Sequence, residues 1–267
     1  MQVGHGDDPI FPVLSEPFAL IAGRALAGRT DDTVETALRH MGLRPQQVDG
    51  DSSEGPRYRV HFAALSLLAS RAPSDFLDLA DPRDSSTSLL AASLPDDWRA
   101  GGRCWLFMPD TNEDAASQTL RMREFFKVMV LLIDLLDASH VFWSPARLWS
   151  DAPQFRASIA EMLKSGMPPV LHLVAFRQHD AGDGAFVRTR GLAMFGGQEL
   201  EARIPSGWTV AEMVKRLARL ALDIILYGPV PERRRLRGLG AGEWVSLSPQ
   251  GGASPSTVFV EFGSDFG

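Results

Sequence analysis

From Phe125 to Leu136 the chain is apolar on almost every helical face, broken only by Lys127 and Asp134. A helix of that kind is buried all round, so other layers of the same chain must enclose it. It does not read as a bilayer span. Its cleanest part, Val128 to Leu136, is interrupted by Asp134 and is far shorter than the roughly 20 apolar residues that a crossing needs.

The rest of the chain supplies candidate layers. Short apolar runs closed by Gly or Pro read as buried strands at Phe18–Ala22, Cys104–Met108 and His140–Trp143. Tyr58–Leu68 reads as a second strand, with Tyr58, Val60 and Phe62 alternating with Arg59 and His61, while Ala63–Ala69, apolar but for Ser66, also fits a helix start. Thr30 caps a helix that starts with Asp31 and Asp32 at its positive end and stops at Gly42. Residues 44–57 read as a loop, and 73–95 as a long connection with one helical turn. A helix over 113–137 contains the apolar run, and another over 151–164 is capped by Ser150 and ended by Gly166 and Pro168-Pro169.

Val170–Arg177 is expected as a strand, joined by a Gly- and Asp-rich turn to an antiparallel partner at 185–194. Gly196-Gly197 then turns the chain into a strand at 199–204. Thr209 and Glu212 have capping-box spacing ahead of a helix with Met213, Leu217, Leu220, Ala221 and Ile224 on one face. Trp244–Leu247 and Thr257–Phe262 read as a final strand pair.

This order implies an α+β fold: a mixed, mostly antiparallel sheet or pair of sheets covered by helices. It can be read as two pseudo-repeats of strand, helix, strands, helix. With no clean linker in view, residues 1–267 are expected as one domain, with lobes over 17–137 and 139–262 and a groove between them.

Composition excludes several classes. Charged residues make up 22% and hydrophobic ones 45%, as in globular proteins rather than disordered chains. The net charge of -6 argues against nucleic acid as a partner and makes a basic protein the better expectation. One cysteine, Cys104, leaves no disulfide framework and no multi-cysteine zinc site. The first residues lack a positive region followed by an apolar one, so a cytoplasmic location is expected. Lysine occurs only at Lys127, Lys164 and Lys215, a skew toward arginine that fits a GC-rich bacterial genome.

Few residues carry obvious chemistry. Glu199 and Glu201 stand at i, i+2 on one face of a strand, where they could bind a cation or share a proton, or else form a solvated face. Arg190 and His172 lie nearby in sequence, and these four are the ligand-binding candidates, although His172 inside Val-Leu-His-Leu-Val also fits an interior histidine. Trp149 with Arg147 is a candidate protein-contact pair, whereas Trp143 reads as core. Arg233, Arg234 and Arg235 open the one strong basic cluster, readable as an acidic-partner site or as a solvated loop after a helix. Gly238-Leu-Gly-Ala-Gly242 follows no expected strand and opens no helix, so it fails as a dinucleotide fingerprint. Cys104 beside Trp105 reads as a small hydrophobe rather than a nucleophile, and no metal or other cofactor and no catalytic residue is expected.

The stretch Thr189-Arg-Gly-Leu-Ala-Met-Phe-Gly-Gly-Gln-Glu-Leu-Glu201 resembles the T-x-G-L-x-x-F-G-x-x-E-L-E hallmark of a bacterial family, the domain of unknown function numbered 4261. His140-Val-Phe-Trp-Ser-Pro-Ala, Pro153 with Phe155, and Gly166–Val174 carry the same resemblance, which covers about 115–230. It implies a bacterial α+β domain and brings no activity, cofactor or catalytic residue. The leading expectation is therefore a non-catalytic protein-binding module, such as an immunity or adaptor protein. The alternatives are a small-ligand binder or enzyme using the groove, and a structural part of a secretion or phage-like assembly.

Overall fold

A computed structural model describes residues 17–23, 26, 29–48, 56–63, 65–90, 93–110, 122–182, 184–251 and 255–264. The fold is α+β, with two mixed, mostly antiparallel sheets. Contacts divide the chain into two compact units, 1–169 and 170–267.

The first unit runs β1 (Ala19–Ala22), α1 (Asp31–His40), β2 (Arg44–Val48), β3 (Arg57–Phe62), β4 (Leu65–Arg71), α2 (Ser74–Leu79), β5 (Ser88–Leu90), β6 (Cys104–Pro109), α3 (Met122–Leu136), β7 (His140–Trp143), β8 (Leu148–Asp151) and α4 (Ala152–Ser165). Its eight strands lie in the order β2-β3-β4-β6-β1-β7-β8-β5, with only β5 and β8 parallel. The central strands are apolar at every position because both faces are covered. On one face, Trp143 packs against Phe125 and Phe126 of α3, and Phe126 meets Phe155 of α4. On the other, Leu20, Cys104, Leu106, Phe142 and Trp149 form a cluster with Ala80 and Trp98 from the connection after β4. In α3, Phe125, Phe126, Val128, Met129, Leu132, Ile133 and Leu136 are buried while Asp134 is exposed, so the apolar helix is covered on a broad face rather than all round; 113–121 lie outside the described residues.

The second unit runs α5 (Val170–Leu173), β9 (Ala175–Ala181), β10 (Gly184–Arg190), α6 (Ala193–Gly196), β11 (Gln198–Arg203), α7 (Val210–Tyr227), β12 (Arg234–Arg237), β13 (Glu243–Gln250) and β14 (Ser256–Ser264). The strand order is β12-β13-β14-β11-β10-β9, and only β11 and β14 are parallel. The capping box forms: Thr209 accepts from the Glu212 N–H, and the Glu212 carboxylate accepts from the Thr209 N–H. The apolar stripe of α7 faces inward, with Met213, Leu217, Leu220, Ala221, Ile224 and Ile225 buried.

A repeat exists, but not over the expected spans. In each unit a strand, a helix and a three-strand meander return the chain parallel to its start: β1-α1-β2-β3-β4 and β11-α7-β12-β13-β14. In the second unit β14 lies directly beside β11; in the first, β6 stands between β4 and β1 and pairs antiparallel with both. An antiparallel hairpin flanks the opposite side of each starting strand, β7-β8 beside β1 and β9-β10 beside β11. The expected lobe break near 138 therefore falls inside the first sheet, because His140–Trp143 is hydrogen-bonded along Ala19–Ala22.

Other local expectations are corrected by long-range pairing. Arg44–Val48 is an edge strand rather than a loop; it pairs with β3 on one side only, which leaves room for Pro45. Ala63 sits at φ 51° in a tight turn, and Leu65–Arg71 is a strand between β3 and β6 rather than a helix. Val170–Leu173 is one helical turn, closed by the Val174 N–H on the Val170 carbonyl at 2.8 Å, so the strand begins only at Ala175. The cap of α4 is Asp151, not Ser150.

Candidate functional site

The stretch Thr189–Glu201 folds around a buried carboxylate. Glu199 is 6% exposed. Its Oε2 accepts from the Thr189 hydroxyl at 2.6 Å, and its Oε1 accepts the N–H groups of Gly191 at 2.8 Å and Ala193 at 3.1 Å. The Thr189 oxygen in turn accepts the Leu200 N–H at 2.7 Å. Burial pushes the Glu199 carboxyl above the usual carboxylate range, against the pull of these donors. Gly196 is required by close approach, since a Cβ there would lie 2.8 Å from Ile224 of α7, and Gly197 turns the chain at φ 68°.

This corrects the solvated-face reading of the two glutamates. Glu199 is committed inward, whereas Glu201 lies across from Arg188 on β10 with the charges 3.8 Å apart. Arg190, half-buried, sits opposite Ala175 on β9. His172 is buried in α5 rather than on a strand. Glu199 and Glu201 share β11, and the charge of Arg188 acts on both.

The Trp149–Arg147 contact pair is also corrected. Trp149 is fully buried, donates its indole N–H to the Ala80 carbonyl at 2.7 Å, and packs edge-on against Trp98 at 5.2 Å. Arg147 takes a left-handed backbone at φ 46° and donates to Asp84 at 2.9 Å. Asp84 is held down to about 2, chiefly by the Ser86 N–H and hydroxyl and then by Arg147. Both residues serve the connection over the first sheet. Cys104 is buried there too; burial pushes its thiol up to about 12, and it donates to the Trp98 carbonyl. A pocket of about 340 Å³ beside it is lined by Arg71, Ser74, Leu77, Arg99 and Gly102. Its arginines are already engaged, Arg71 by Asp31 and Arg99 by Asp78 and Asp81.

The basic cluster is placed differently from the expected loop. Arg234–Arg237 form β12, the outermost strand of the second sheet, with Arg233 just before it. All four arginines of this run are exposed. Arg235 lies over the Trp244 ring at 4.3 Å. Arg233, Arg234 and Arg237 have no acidic partner among the described residues.

The glycine-rich segment, which does follow a strand, closes the β12-β13 hairpin around Glu243. The N–H groups of Leu239 and Gly240 donate to the Glu243 carboxylate at 3.3 and 3.1 Å, and Arg216 of α7 grips it through Nε at 2.9 Å and Nη2 at 2.8 Å. A Cβ on Gly238 would strike the same side chain. Arg216 holds the Glu243 carboxyl below its ordinary range and is itself stacked on Trp208 at 4.0 Å.

Glu243, Trp244 and Arg216 were not legible as a unit. The only sequence signal is a Glu directly after a run of glycines, and its arginine lies 27 positions upstream. Charge is unevenly shared: 16 basic against 23 acidic residues in 1–169, and 11 against 10 in 170–267. No three His, Cys, Asp or Glu side chains among the described residues are grouped to hold a metal ion, and no described helix is long and apolar enough to cross a membrane. The chain matches no family model, no curated protein and no solved structure.

Proposed function

We propose that this chain is a non-catalytic protein-binding module of the cytoplasm, an adaptor or immunity protein. Its docking surface is the arginine edge of the second sheet. The observation that carries the reading is the exposed Arg233, Arg234 and Arg237 without acidic partners among the described residues, at and just before a strand whose hairpin is tied to Arg216 through Glu243. Exposed arginines on a fixed backbone are favoured anchors for carboxylates, which they bind in two-pronged geometry. The partner surface is then acidic, not basic: the negative balance that suggested a basic partner sits in 1–169, away in sequence from this edge. On this reading the hallmark stretch that resembles the family numbered 4261 serves the fold, through Thr189 and Glu199, rather than chemistry.

The test is affinity capture from the source organism with the wild-type chain and with an R233E/R234E/R237E variant as baits. An acidic protein retained by the first and lost by the second, with unchanged circular dichroism, is the expected result. Equal retention by both baits, or no stable partner for either, would remove the reading.

A further inference from the structure

β12 has a strand neighbour on one side only, β13, and its other edge carries no partner strand among the described residues. We infer that an extended acidic segment of a partner protein adds to this edge as a further strand. The inference rests on the docking reading above and names how the partner is held.

The edge is formed before any partner arrives. The Gly238 N–H bonds the Glu243 carbonyl at 2.9 Å, and the Glu243 side chain ties the loop to Arg216. A pre-organised edge loses little freedom on binding, so less of the net gain from strand hydrogen bonds is offset by ordering this chain. The arginines also stand on both faces of the strand. In register, Arg235 and Arg237 lie opposite Ser246 and Trp244, while Arg234 lies opposite Leu247 on the other face. An added strand with acidic residues would meet them as cross-strand neighbours at roughly 4.5–5.5 Å between Cβ atoms, where opposite charges attract.

Charge also selects the occupant. A second copy of this edge would bring like charges face to face, which disfavours edge-to-edge pairing. A nucleic acid could neutralise the arginines but offers no peptide groups to the free strand edge. An acidic peptide backbone satisfies both.

The experiment uses the full chain and a short fluorescent peptide in which Glu alternates with Thr and Val. A twin with N-methyl groups at every residue of its central segment keeps every charge and removes the strand donors on both edges. The expected result is binding of the first peptide, at least about tenfold weaker binding of the twin, and slower hydrogen exchange at 234–237 when the first peptide is bound. Binding that survives N-methylation unchanged would overturn strand addition while leaving an acidic docking edge intact. Failure of both peptides to bind would overturn the docking reading itself. Displacement of the peptide by a single-stranded oligonucleotide at far lower concentration would overturn both in favour of nucleic acid. The N-methyl comparison needs no altered protein, so it stands even if the R233E/R234E/R237E chain fails to fold.

Discussion

Replacing Glu199 by Ala removes the acceptor for three buried donors at once: the Thr189 hydroxyl and the N–H groups of Gly191 and Ala193. The hydroxyl has a fallback, because it can turn to the Leu200 carbonyl at 3.4 Å. The two amides have none in the motif. A buried donor left unpaired costs about 1–3 kcal/mol, so E199A is expected to cost about 2–5 kcal/mol. That is a large share of a domain stability of about 5–15 kcal/mol. E199Q should behave differently. Its carbonyl still accepts the two amides, and its amide nitrogen donates to the Thr189 oxygen, so the expected cost is below about 1 kcal/mol. Protonation separates the wild type from the Gln variant. The Glu199 carboxyl is raised by burial, so its contribution to stability is fully present below the unfolded carboxyl value of about 4.3 and is lost as pH rises through the folded value. Gln cannot ionise, so E199Q should gain on the wild type as pH rises from about 4 toward neutral. Urea unfolding followed by circular dichroism at several pH values, with hydrogen exchange across 189–201, reads all of this. Equal stability of E199A and E199Q, or a pH trend of the opposite sign, would refute the account of the motif.

Trp149 fills the cluster on the first sheet, so W149A should cost about 3–5 kcal/mol and W149F, which leaves the Ala80 carbonyl unpaired, about 1–3 kcal/mol, both read as shifts in the urea midpoint. R216A strips Glu243 of its charged partner and should cost about 1–3 kcal/mol, with faster hydrogen exchange at 238–243. Because Arg216 depresses the Glu243 carboxyl, that stabilisation is present above the unfolded value of about 4.3 and fades as pH falls through the lower folded value, so E243Q should flatten acid unfolding below about pH 4. Cys104, buried with its thiol pushed up to about 12, should resist iodoacetamide at mildly alkaline pH in the folded chain and react once urea unfolds it; rapid labelling of the native protein would contradict its place in the core.

What could be read from the residues depended on how local the cause was. The Thr209–Glu212 box and the Thr30 cap involve groups three positions apart, and both formed as spaced. Cys104–Met108 and Val141–Trp143 were legible because burial on both faces writes an unbroken apolar run. Arg44–Val48 has no such signature: Arg-Pro-Gln-Gln-Val is a strand only because β3 lies alongside it. Leu65–Ala69 looked helical for the opposite reason, since apolar residues on both parities erase the period of two. Trp149 was placed on a surface because its cover comes from Ala80 and Trp98, dozens of residues away in a polar, Pro-punctuated segment. At the candidate edge, the arginines were visible and the strand was not, because β12 owes its conformation to β13 and to an anchor that reaches across from α7.

Glu199 and Glu243 perform the same physical task at two turns of the second unit. Each turns inward onto N–H groups of a glycine-bearing loop, Gly191 and Ala193 in one case, Leu239 and Gly240 in the other. Convergent backbone N–H groups make an anion cradle, and here the anion belongs to the chain itself. That is why 238–242 has the composition of a phosphate loop without room for a phosphate: Glu243 fills the space that a Cβ on Gly238 would also need. The same arrangement sorts the arginines into two kinds. Arg216 is drawn into the cradle and neutralised there, while Arg234 and Arg237 remain outside on the strand that the cradle anchors, with Arg233 just before it. An acidic partner entering the cradle would have to displace a carboxylate held by four protein donors and tethered at high effective concentration. One that meets the rim displaces only water from exposed guanidinium groups. Binding at the rim therefore costs least, and it uses charge that the fold does not need for its own hairpin.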